Sequence, residues 1–109
     1  VGEDIELQVL RESTAVATPP ESPVFDAITA ELARFDPGAI PIPYMIPGFT
    51  DAQAYSRLGT RCFGFAPVRF PADGPRFAEL FHGDDERIPV DGLRWGVSLL
   101  RAVVQRLCC

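Results

Sequence analysis

A chain of 109 residues, 47% hydrophobic and 23% charged, is long enough for one domain with a modest core and too apolar for a disordered segment. Its formal net charge is −5 and all ten of its cations are scattered arginines, which excludes the basic face that nucleic acid or an anionic membrane surface would select. No apolar stretch approaches the ~20 residues of a membrane span, and Cys62, Cys108 and Cys109 lack the spacing of zinc or redox motifs, so a reducing, cytoplasmic setting is expected.

From the N-terminus, Asp4–Leu10 alternates polar and apolar residues, the period of a strand with one buried face. No partner sheet is evident for it, and the first residues read as mid-protein sequence without an initiator Met. The chain is therefore expected to be a piece of something larger. Arg11–Glu21 is a Ser-, Thr- and Pro-containing linker without periodicity. Ser22-Pro23 then predicts a helix start, with Ser22 as cap and Pro23 at the first helical position. Phe25, Ile28, Leu32 and Phe35 form its apolar stripe, and Asp36-Pro37-Gly38 stops it. Ala39–Ile46 is apolar but holds Pro41 and Pro43, which favours an edge strand.

Pro47–Gln53 reads as a strand-to-helix turn. Thr50 and Gln53 have capping-box spacing, a structural role, and the same turn could leave backbone N–H groups facing an anion. The short helix ends at Gly59, and Arg61–Ala66 is predicted as a further strand. Pro67–Arg87 is long for a structureless connection, and such loops are usually functional or disordered. It contains His82, the single histidine, followed by Gly83, three carboxylates and Arg87. Imidazole is a common metal ligand, although an isolated histidine taken bare reads first as a surface or loop residue. The last helix is expected to open at Asp91 as cap, with Leu93, Gly96, Val97, Leu100, Val104 and Leu107 on its buried face and Trp95 off that stripe.

Four blocks occur in order: Gly48-Phe49-Thr50-Asp51-Ala52, then Gly59, then Phe63-Gly64-Phe65-Ala66-Pro67, then His82-Gly83-Asp84-Asp85-Glu86-Arg87-Ile88. In type and spacing they resemble the C-terminal segment of the M-twenty metallopeptidases. That co-catalytic zinc family includes glutamate carboxypeptidase, aminoacylase, acetylornithine deacetylase and succinyl-diaminopimelate desuccinylase. The resemblance spans nearly the whole chain and implies an α/β fold, a fragment of a zinc-exopeptidase-type mixed sheet with flanking helices. Residues 1–18 would be the last strand of the lid (dimerisation) domain with its linker, and 19–109 the C-terminal segment of the catalytic domain.

The resemblance further implies that His82 is a zinc ligand and that Gly48 and Thr50 lie against the substrate. Two zinc ions would serve the intact parent, with cobalt or manganese as alternatives. No catalytic residue falls within this segment, because the family's His-x-Asp motif and Glu-Glu pair lie upstream and neither occurs here. Phe49 and Gln53 depart from the family's usual Gly and Arg at the pocket edge, so substrate class is not carried over. The expected parent cleaves an amide or peptide bond of an N-acyl amino acid or short peptide, and the isolated chain is expected to be inactive and to lack bound zinc. Its expected partners are that substrate, the remainder of the parent chain and other copies of itself, the last through the N-terminal strand or the Phe25–Phe35 face. The rival reading is a non-catalytic α/β interaction or oligomerisation module.

Overall fold

Ser22 is held in extended backbone (φ −160°, ψ 151°) and its hydroxyl accepts the N–H of Phe25 at 3.2 Å, so the first helix starts where a cap and a proline coincide. In the computed structural model, which describes residues 5–10, 12–46 and 48–109, this helix is α1, Pro23–Phe35. Three more follow among the described residues: α2 (Ala52–Ser56), α3 (Phe77–Leu80) and α4 (Val90–Cys108).

No strand is present among the described residues, which overturns the expected α/β mixed sheet. Ile5–Leu10, Ala39–Ile46 and Arg61–Ala66, all read as strands, run without a ladder; Asp4, Arg11 and Pro47 lie outside the described residues. The physical reason is that a strand is defined by its neighbour. Alternating apolar residues supply the faces, but the backbone N–H and C=O groups need a second chain segment in register. Pro41 and Pro43 withdraw two donors from the one segment that is apolar throughout.

The described residues fall into two compact units. One is formed by those up to Thr18 together with Met45–Phe63, the other by Pro19–Tyr44 with Gly64–Cys109. In the first, the Thr18 hydroxyl donates to the Cys62 carbonyl at 2.8 Å, tying two segments distant in sequence. Helix α2 closes with Gly59 at φ 78°, its N–H on the Ser56 carbonyl and that of Thr60 on the Tyr55 carbonyl, the double bond pattern that a glycine C-terminus allows.

The second unit is built on α1 against α4. Its core is Ala27 and Ile28 of α1 with Leu99 and Val103 of α4, and Val24, Leu32, Phe35, Phe65 and Trp95 pack on it. Ile28, Leu32 and Phe35 of the predicted α1 stripe thus pack within this unit, and Phe25 is half-buried. Helix α4 is where the sequence reading fails most instructively. It starts at Val90 with Pro89 as cap residue, and Asp91 lies in the first turn paired to Arg94 at 3.1 Å. The buried face is Gly92, Gly96, Leu99 and Val103, whereas Leu93, Val97, Leu100, Val104 and Leu107 are 40–59% exposed. Glycine carries almost no hydrophobicity, so a periodicity reading weights the wrong face. What decides the matter is close approach: a Cβ at Gly92 would fall on the Arg69 carbonyl oxygen, and one at Gly96 on that of Pro67. Two glycines four apart make a flat track on which the extended Pro67–Arg69 backbone lies.

Candidate functional site

Gly48 and Thr50 belong to the first unit and His82 to the second. The Gly48 N–H donates to the Ile46 carbonyl at 2.9 Å, so that donor is engaged within its own turn. The Thr50 hydroxyl accepts the N–H of Ala52 at 3.3 Å, and the Thr50 carbonyl that of Gln53 at 3.3 Å. This is a local hydroxyl-backbone turn in place of the capping box expected from the Thr50 and Gln53 spacing. The following N–H groups of Ala54 and Tyr55 are taken by the Asp51 carbonyl, so the start of α2 is largely satisfied from within.

His82 stands at the end of a turn that the sequence did not announce. Within the connection read as structureless, α3 forms at Phe77–Leu80, with the Glu79 carboxylate accepting the Arg76 N–H at 3.1 Å. Leu80 is buried and Phe81 leaves the helix in extended geometry. His82 then adopts φ 58°, the left-handed backbone, which non-glycine residues seldom occupy and which histidine adopts more readily than most. It is the one non-glycine residue at positive φ among the described residues. The Gly83 N–H donates to the Leu80 carbonyl at 3.0 Å, closing the turn. The imidazole lies against the Phe81 ring with centroids 3.9 Å apart, and Phe81 in turn lies 5.0 Å from Phe77. His82 is therefore an exposed imidazole with one face on an aromatic cluster.

The carboxylates beyond it are exposed. Arg87 donates to the Asp85 carbonyl at 3.0 Å and lies 3.7 Å from the Asp85 carboxylate, so its partner is Asp85. Among the described residues no group of three His, Cys, Asp or Glu side chains is arranged to hold a metal ion. The donors among the described residues do not by themselves fit zinc, which takes three or four protein ligands.

Two features escaped the sequence reading. Glu31 is 2% exposed and takes Arg106 Nε at 2.6 Å and Arg34 at 2.6 Å on its two carboxylate oxygens. The hydrogen bond from Arg106 holds its carboxyl below the ordinary range, against the opposing effect of burial, with the charge of Arg34 adding to the lowering. A cavity of about 540 Å³ opens here, lined also by Arg101 and Gln105. The available signal was that Glu31 is three residues from Ile28, on the edge of the apolar stripe. The second feature is Arg69, which pairs with Asp36 at 2.7 Å while its guanidinium sits 4.4 Å over the Trp95 ring. Trp95 Nε1 is buried with no hydrogen-bond partner among the described residues, a local cost to the fold.

Among the described residues no helix is long and apolar enough to cross a membrane. Comparison with known proteins finds no matching family model, no matching curated protein and no matching solved structure.

Proposed function

We propose that the chain is the C-terminal part of a di-zinc hydrolase that cleaves an amide or peptide bond, acting on an N-acyl amino acid or short peptide. The observation that carries this reading is His82: an exposed imidazole on left-handed backbone, inside the block His82–Ile88 that follows three others in the order and spacing of the M-twenty enzymes. Unusual backbone at a polar residue clusters at functional sites, because surrounding structure must hold it there. The role of this chain is to present one imidazole donor and an aromatic wall beside it. Further ligands and the carboxylate base come from the remainder of the parent, and the 109-residue chain alone has no turnover.

The test is the coding sequence preceding Val1 together with metal analysis of the encoded protein. A His-x-Asp motif, a Glu-Glu pair and two bound metal ions are expected, with His82→Ala lowering metal content and abolishing most hydrolysis. An upstream sequence without those motifs, or a His82→Ala protein with unchanged metal and rate, overturns the assignment.

A second reading, a non-catalytic interaction or oligomerisation module, is favoured by the exposed face of α4. Leu93, Val97, Leu100, Val104 and Leu107 form a continuous apolar row there. A start codon at or near Val1 would decide for it.

A further inference from the structure

The exposed row on α4 is more specific than an apolar stripe. Val90, Leu93, Val97, Leu100, Val104 and Leu107 follow one another at alternating spacings of three and four residues, the a and d positions of a heptad. Every a position is valine and every d position leucine. All six are 40–61% exposed, so the fold leaves the whole seam open. The residues that cover the core, Gly92, Gly96, Leu99 and Val103, form a separate face beside it. Packing within the chain therefore does not account for the seam.

Its composition selects the partner. β-Branched residues at a with leucine at d favour two parallel strands over higher-order bundles. Such a pair stacks valine on valine and leucine on leucine, so a second copy of the same helix is the complementary surface. Charge selects the direction. Arg94 and Arg101 occupy e positions, while Gly96 and Val103 occupy g. In a parallel pair each e residue faces a g residue of the other helix, which here is uncharged. In an antiparallel pair e faces e, and Arg94 would meet Arg101. Size is adequate as well. The exposed parts of these side chains, taken from two copies, come to roughly 1,000 Å², the threshold of a specific interface. Each helix is already ordered against α1, so association does not have to offset helix formation.

We infer that α4 is a homodimerisation helix, and that two copies of this chain join through a parallel, two-stranded coiled coil along the valine and leucine seam. This rests on the second reading above for its biological role, while the dimer itself belongs to this chain alone.

Sedimentation velocity of the 109-residue chain across the micromolar range should pass from monomer to dimer. Direction is read from Cys108, exposed in the last turn of α4, in a Cys62→Ser, Cys109→Ser chain where it is the single thiol. A short bismaleimide should link two copies through it. In an antiparallel pair the same thiols lie about 28 Å apart, out of reach. Val97→Glu should weaken the dimer by at least about ten-fold, because two carboxylates enter one apolar layer. Val97→Asn should weaken it less and keep the link, because paired amides are tolerated at an a layer. Gln105→Glu, exposed on α4 away from the seam, should leave it unchanged. A monomer at every concentration, a dimer that never gives the Cys108 link, or a dimer indifferent to both Val97 variants overturns the coiled coil. The two readings fail separately. A dimer without the link, or one indifferent to the Val97 variants, sinks the coiled coil and leaves an interaction module with another contact surface. A linked dimer whose upstream sequence carries the His-x-Asp and Glu-Glu motifs sinks the module and leaves the coiled coil standing.

Discussion

At the scale of single residues, backbone geometry and function separate cleanly at His82. Left-handed backbone costs an ordinary residue about 1–2 kcal/mol, a cost glycine escapes but offsets by a more flexible unfolded chain. His82→Gly should therefore melt within about 1 kcal/mol of the wild-type chain, whereas His82→Val, β-branched, should lose about 2 kcal/mol or more. Under the proposed hydrolase function, His82→Gly in the full-length protein should still lose metal, which distinguishes a ligand from a turn residue. Glu31 makes a different kind of prediction. Its folded pKa is lowered, so its contribution to stability is complete above the unfolded value, near 4.5, and disappears as pH falls through the folded value. Melting temperature should thus drop on acidification below about pH 4.5, and the drop should be shallower in Glu31→Gln. A Glu31→Gln chain with the same acid limb as wild type would refute the role given to the Arg106 and Arg34 bonds.

Among the elements, α4 combines two apolar faces that behave oppositely. The covered face depends on Gly92 and Gly96 admitting the Pro67–Arg69 backbone. Helix propensity alone would favour alanine over glycine by about 1 kcal/mol. A net destabilisation of about 2 kcal/mol in Gly96→Ala, measured by denaturant melts, would report the close approach directly, since a methyl there must displace the Pro67 carbonyl. Leu100→Ala, on the open face, should cost under about 1 kcal/mol, while Leu99→Ala, fully buried between α1 and α4, should cost about 2–5 kcal/mol. Equal losses at 99 and 100 would mean that the faces are assigned the wrong way round.

For the whole molecule, the balance of covered and open apolar surface is the main consequence. Besides the α4 row, Ile5, Leu7, Val9, Ile40, Ile42 and Met45 are exposed on segments with no strand partner among the described residues. Such surface is a template for association. Sedimentation at micromolar concentration should show oligomers, and Leu100→Glu with Val104→Glu should shift the population toward monomer. A monodisperse wild-type monomer with a cooperative melt would count against this.

The sequence by itself determined the features whose causes are local. Ser22-Pro23 starts α1 because one hydroxyl and one ring suffice; Gly59 ends the turn after α2 because only its own backbone must enter the left-handed region; Phe25, Ile28, Leu32 and Phe35 mark a face. Tertiary structure decided everything that needs a distant partner. Without an adjacent segment in register, three strand-like stretches form no strand among the described residues. With Pro67–Arg69 lying on two glycines, α4 turns its less hydrophobic face inward. Glu31 is buried because Arg106, 75 residues away, meets it. Periodicity reports which side chains share a face, but which face is covered depends on what the chain brings against it.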